Sequence, residues 1–189
     1  MVQINSSHVV IDHTWLWRAD HDVGGSVMYS RNYVATGLEV NGNNVRAYGL
    51  FVEHTLGDMV VWNGEDGEVY FYQSELPYDV TQANYANKGY HSYHVGDNVQ
   101  RHTAYGAGVY SFFRDNDVHM DTGIKAPTRS GIKFDNAFNK MLSGKGGIDH
   151  VLNNQGGSAY NSGMSYLCGF HAEFDQDLAD FEDAFNFLQ

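Results

Sequence analysis

Carboxylic acids and tryptophans crowd together early in the chain, in VVIDHTWLWRADHD, residues 9–22. That pairing suits sugar chemistry. An indole offers an apolar face to the C–H side of a sugar, while Asp, Asn, Arg and His bond its hydroxyls. In a strand, Trp15 and Trp17 share one face and Leu16 takes the other. With Leu16 inward, both indoles form a platform facing solvent. With Leu16 outward, they face the core or another subunit. Arg18 and Asp20 flank the pair, and Trp62 is the one remaining tryptophan. Trp15, Trp17, Arg18, His54 and Trp62 are therefore the candidate substrate-binding residues.

Glycoside hydrolysis needs two carboxyl groups about 5 Å apart for retention, or roughly 6.5–9.5 Å apart for inversion. The acids in reach of such a role are Asp12, Asp20, Glu53, Glu65, Glu75 and Asp79. Glu53 ends an apolar run beside His54. Glu75 follows Gln73 on the same strand face. Glu53, Glu75 and Asp20 are the candidate catalytic acids. The competing role for each is structural, because acids at turns bond turn amides. A lyase would instead need a Lys, Arg or His base, and often Ca²⁺ to hold a uronate carboxylate. An acidic surface opposes such a polyanion, which favours a neutral polysaccharide. His91 and His94 are three apart, so in an extended chain they point to opposite faces. With no HExxH either, no metal site and no cofactor is expected.

These residues need elements to position them. Short apolar runs recur as VVI (9–11), LEV (38–40), VRAYGLFV (45–52), MVVW (59–62), VYFY (69–72), VYSFF (109–113) and IKF (132–134). NGNN, NGEDGE, SGKGG and NNQGG punctuate them as turns. A short motif of apolar residue, acid and His recurs at residues 11–13, 52–54 and 148–150, with Asp135-Asn136 as a weaker copy. Strands ending in repeated polar corners suggest stacked rungs. Coils of roughly 20–25 residues would give about six to eight rungs. A β-sandwich is the rival arrangement. Continuous apolar runs such as MVVW suit parallel strands better. The expected inward set includes Leu38, Val40, Leu50, Val52, Val60, Phe71, Ile132 and Ile148, within a parallel β-helix over about residues 9–168.

The runs DHTWLWRADH, TGLEVNGNNVRAYGLFVEH and VVWNGEDGEVYFYQSELPYD carry a resemblance. HTAYGAGVYSFFRD and GIKFDNAF…GGIDHVLNNQGGS continue it. Together they resemble the C-terminal part of secreted microbial right-handed parallel β-helix proteins of the pectate-lyase-like superfamily. Such proteins often carry the labels coagulation factor 5/8 type domain or adenylyl cyclase. The resemblance implies a right-handed parallel β-helix, an extracellular setting and a polysaccharide ligand or substrate. It does not imply cyclase activity.

Composition bounds the rest. Tyr (13), Phe (11) and Gly (21) are plentiful and Pro (2) is scarce, which suits an all-β chain with frequent turns. With 23 acids against 11 bases, the net charge of −12 repels phosphate backbones and anionic lipid, so neither nucleic acid nor membrane is an expected partner. No apolar run is long enough to span a bilayer, and no basic-then-apolar leader is visible. Cys168 stands alone, which reads as a small buried filler. Near the end, Phe174, Leu178, Phe181, Phe185 and Leu188 form an apolar stripe at helical spacing, opposite an acidic face. The expected domains are a β-helix over 1–172 and an amphipathic helix over 173–189 that caps the solenoid or docks another subunit. Three functions fit: a secreted glycoside hydrolase-like protein, a non-catalytic carbohydrate-binding module, or a structural protein that self-associates into filaments through solenoid ends or the terminal helix.

Overall fold

The computed structural model describes residues 1–19 and 31–171. Eleven strands lie in one sheet: β1 (Val2–Ile4), β2 (Val10–Trp17), β3 (Leu38–Val40), β4 (Arg46–Glu53), β5 (Val60–Trp62), β6 (Gly67–Glu75), β7 (Tyr93–Val95), β8 (His102–Lys125), β9 (Ile132–Leu152), β10 (Ala159–Tyr160) and β11 (Met164–His171). A single 3-10 turn spans Ala86–Lys88, and no α-helix occurs among the described residues. The pairing is parallel in two stacks. One runs β1-β3-β5-β7, and the other runs β2-β4-β6-β8-β9. The far end of β8 also pairs with β7, so this long strand joins the two stacks and the sheet curls round. Among the described residues the architecture is all-β, mainly parallel and consistent with a β-helix, with no pair of facing antiparallel sheets.

Two limits of the expected helix are corrected. Parallel pairing begins at Val2, before residue 9. It stops at β9, whose outer edge is covered by β10 and β11 in antiparallel register. An edge strand left bare would template further pairing, and these strands occupy it. The amphipathic segment 173–189 lies outside the described residues.

One coil advances by 22 residues in the Arg46–Glu68 pair but by 36 between Arg18 and His54, so the coils are longer and less uniform than 20–25 residues. The larger stack accordingly has five strands, fewer than the expected rungs. Variable loops absorb the difference while the register holds: Asp12, Tyr48, Tyr70, Tyr105 and Asp135 stand in one outward row.

The next residue in each rung is bent. His13, Gly49, Phe71, Gly106 and Asn136 all have positive φ, between 43° and 68°. Glycine adopts this region freely and Asn with little strain, but a Phe there is unusual. The bend shifts the alternation, so Phe71 turns outward at 54% exposed while Tyr72 becomes the inward residue. Phe71 is thus removed from the expected core. Leu38, Val40, Leu50, Val52, Val60, Ile132 and Ile148 are all inside.

The same geometry sorts the acid-His motifs. His13 lies at the bend, His54 has its own positive φ at the end of β4, and His150 pairs with Thr122 inside β9. These are three different places rather than one repeated corner. The weaker copy, Asp135-Asn136, is the true counterpart of Asp12-His13. A genuine corner ladder does exist: the Asn63 amide donates to Asn41 Oδ1, and the Asn41 amide to Asn5 Oδ1, each at 2.9 Å. Cys168 is exposed, not buried, and lies in β11 opposite the bend at Asn136, where the register skips a pair.

Candidate active site

Past the bend, the outward residues of the large stack fall into two rows. Trp15, Phe51, Gln73 and Gly108 form one, and Trp17, Glu53, Glu75 and Tyr110 form the other. Parallel neighbours repeat about every 4.8 Å, so a residue in one row meets its counterpart from the next coil directly. The result is a groove of about 410 Å³ lined by His13, Thr14, Trp15, Phe51, Glu53 and Gln73. Leu16 packs against the core, which sends both indoles outward. Trp15 and Trp17 stack with centroids 5.2 Å apart, and Trp15 remains 59% exposed.

Glu53 and Glu75 sit side by side at the strand ends. A carboxylate oxygen of each and a ring nitrogen of His54 all lie within 4.8 Å of one another. Gln73 donates its amide to Glu53 Oε1 at 3.2 Å. Tyr78 donates its hydroxyl to Glu75 Oε2 at 2.7 Å. His54 is buried. Its Nδ1 lies 3.2 Å from the Leu76 carbonyl, which can only accept, so Nδ1 carries the proton. Nε2 then faces Glu75 Oε2 at 3.4 Å, and a hydrogen bond between these atoms needs a proton on one of them. The arrangement is a pair of acids with separate hydrogen-bond partners, one of them touching two groups that can move protons.

The remaining expected site residues are placed differently. Arg18 is 4% exposed. Its guanidinium grips Asp79 through two hydrogen bonds of 3.0 and 3.2 Å, and also donates to the carbonyls of His54 and Asn32. It braces the loop behind the acids rather than facing the groove. His54 likewise lies behind the surface, 1% exposed, against Glu75. Trp62 is entirely inside, packed with Tyr93 and His102, so it is no platform residue. Asp20 lies outside the described residues. Of the other acids, Asp79 holds Arg18, and Glu65 accepts the backbone amides of Gln100 and Arg101. Asp12 pairs with the exposed His13. Another concavity, about 500 Å³, involves Asp66, Glu68, Arg101 and Lys133. Its acids are tied to Arg101 and Arg46.

Two residues at or behind the groove are ones that sequence reasoning passed over. Phe51 carries the aromatic row one coil beyond Trp15, and Tyr78 anchors Glu75 from the turn after β6. The motif ELPYD held the second signal, a Tyr three residues beyond the candidate acid. The first was invisible without the register.

Comparison with known proteins sets these features in context. A family model described as the LAM55 pectate lyase-like domain matches residues 1–75, a segment that includes Trp15, Glu53 and Glu75. An exo-beta-1,3-glucanase of Streptomyces sp. (strain SirexAA-E / ActE) is 43% identical over 160 residues, covering 82% of this chain and 26% of the relative. The structure of sacteLam55A from Streptomyces sp. SirexAA-E superposes with a TM-score of 0.85 at 40% identity, over 89% of this chain and 32% of that one. A variant of sacteLam55A, refined in complex with glucose, gives a TM-score of 0.85 at 39% identity, over 89% of this chain and 31% of that one. The chain thus spans between a quarter and a third of the length of these relatives. Its parallel coils and these matches together support a relationship to the pectate-lyase-like superfamily.

Proposed function

We propose that residues 1–172 are the right-handed parallel β-helix domain of a secreted glycoside hydrolase that acts on a neutral β-1,3-linked glucan. The observation that carries this reading is the Glu53–Glu75 pair on adjacent coils, opening beside the exposed Trp15. The glucan is suggested by the relative's name and the bound glucose of the second structure. A net charge of −12 argues against a polyuronate. An extracellular site follows from where such a polymer occurs.

In this mechanism the glucan lies along the groove with sugar C–H faces on Trp15 and Trp17. Glu75 donates a proton to the glycosidic oxygen as its bond to the anomeric carbon breaks. Tyr78 and His54 hold Glu75 Oε2 in place. Glu53, held by Gln73, supplies the second carboxylate, which orients and deprotonates the water attacking the anomeric carbon and offsets the positive charge developing on the sugar ring. Arg18 and Asp79 keep the His54 corner in place.

The test is a substrate panel: β-1,3-glucan, β-1,4-glucan and polygalacturonate, each followed for new reducing ends and for unsaturated products absorbing in the ultraviolet. Reducing ends from β-1,3-glucan alone are expected. Unsaturated products from polygalacturonate would overturn the hydrolase reading. Binding of β-1,3-glucan without turnover would establish the binding-module alternative instead.

A further inference from the structure

A second cluster, at the β5–β7 pairing rather than on the β4–β6 strands of the groove, brings together Asp58, His91 and His94. Asp58 precedes β5, and the two histidines flank the start of β7. These strands pair in parallel, Val60 with Tyr93 and Val61 with His94, so the approach to β5 lies beside the approach to β7. The sequence spacing suggested opposite faces for His91 and His94. A bend at Ser92 removes that objection, because the chain is extended only from Tyr93 onward.

One ligand atom from each of the three side chains lies within 4.8 Å of the other two, close enough for them to share an ion. His94 Nδ1 lies 2.9 Å from Asp58 Oδ2, and His91 Nδ1 lies 3.3 Å from Asp58 Oδ1. Tetrahedral ligands at about 2.0–2.2 Å from a zinc ion stand roughly 3.3 Å apart. His91 Nδ1 is buried and makes no hydrogen bond of good geometry despite its nearness to the carboxylate. Asp58 is already oriented, since the His91 backbone N–H donates to Oδ1 at 2.7 Å. Each side chain is partly exposed, at 15–30%, so an ion can enter and keep a water ligand.

We propose that Asp58, His91 and His94 form a binding site for one divalent first-row transition-metal ion, of which zinc suits two imidazoles and a carboxylate best. The ion clips the β5 approach to β7, and its role is to stabilise the coil rather than to take part in sugar chemistry. Two imidazoles disfavour Ca²⁺ and Mg²⁺, which take oxygen ligands.

The chain is stripped with chelator, then titrated calorimetrically with Zn²⁺ and followed by visible absorption with Co²⁺. One ion per chain, the ligand-field band of a low-coordinate Co²⁺ site, and a raised Tm on Zn²⁺ addition are expected. His91→Ala and His94→Ala should each weaken binding by more than the about 10–100-fold that loss of an outer partner costs. Asp58→Asn preserves an acceptor for the His91 amide and serves if the alanine variants melt early. Glu75→Gln should bind Zn²⁺ as the unmodified chain does, which separates this site from the Glu53–His54–Glu75 cluster. No stoichiometric binding, binding unchanged in all three site variants, or binding lost only in Glu75→Gln would each overturn the assignment.

Discussion

Arg18→Met separates two accounts of the same residue. Its position beside the tryptophans makes it a natural sugar ligand by sequence, whereas the structure buries its side chain to 2% exposure against Asp79. Methionine fills much of the same volume but cannot donate. The substitution strands the Asp79 carboxylate, 16% exposed, and strips a donor from the carbonyls of His54 and Asn32. Breaking a fully buried ion pair from one side costs about 3–5 kcal/mol, and the partial solvation of Asp79 reduces this to about 2–4 kcal/mol. For a chain of this size that is a fall in Tm of roughly 5–15 °C. Urea and thermal unfolding measure it directly. A double-mutant cycle with Asp79→Asn should show coupling of about 1–3 kcal/mol, since the two residues share both hydrogen bonds. Glucan binding should be unchanged under conditions where the variant is folded. An Arg18→Met protein that melts like the parent yet binds glucan many times more weakly would refute the bracing role and return Arg18 to the groove.

Trp15→Ala should weaken oligosaccharide binding by about 1–3 kcal/mol, the worth of one stacking surface, while shifting Tm little because the exposed indole leaves no cavity. A loss of several kcal/mol in stability would make Trp15 structural. His102 should make the protein sensitive to acid. Burial drives its pKa down to about 3, against about 6.5 when unfolded, so below pH 6.5 the unfolded chain gains the proton that the folded chain refuses. Stability is fully present above pH 6.5 and falls by about 1.4 kcal/mol per pH unit from there towards pH 3. Unfolding free energies from urea titrations at pH 7 and pH 5 should therefore differ by about 2 kcal/mol more in the parent than in His102→Gln, and an equal drop in both would count against the buried neutral ring.

The parallel stack and the shared outward face of Trp15 and Trp17 were legible because each rests on a local rule. Continuous apolar runs marked strands buried between coils, and the i, i+2 relation put Trp15 and Trp17 on one face. Glu53 and Glu75 could be singled out as strand-end acids, but their adjacency depended on a register hidden by coils of unequal length. Trp62 could have been placed correctly. Val60 was already expected inward, and two residues along a strand the same face recurs, so Trp62 had to be inward too. Phe71 could not, because nothing in a Phe announces positive φ; Gly49 and Gly106 at the same bend carry that signal, and only register aligns them with it. The role of Arg18 was hidden for a different reason. Asp79, its partner, lies 61 residues away, and no spacing rule reaches that far.

In the proposed mechanism Glu53 and Glu75 act together on a glycosidic bond, with Glu75 giving the proton. Turnover of β-1,3-glucan by Glu75→Gln, measured beside glucan binding by the same protein, tests it most directly. The amide keeps the shape and the Tyr78 contact but cannot deliver a proton, so kcat should fall by about 10²–10⁴-fold while affinity stays within a few-fold. Undiminished turnover in a folded Glu75→Gln protein would contradict the account.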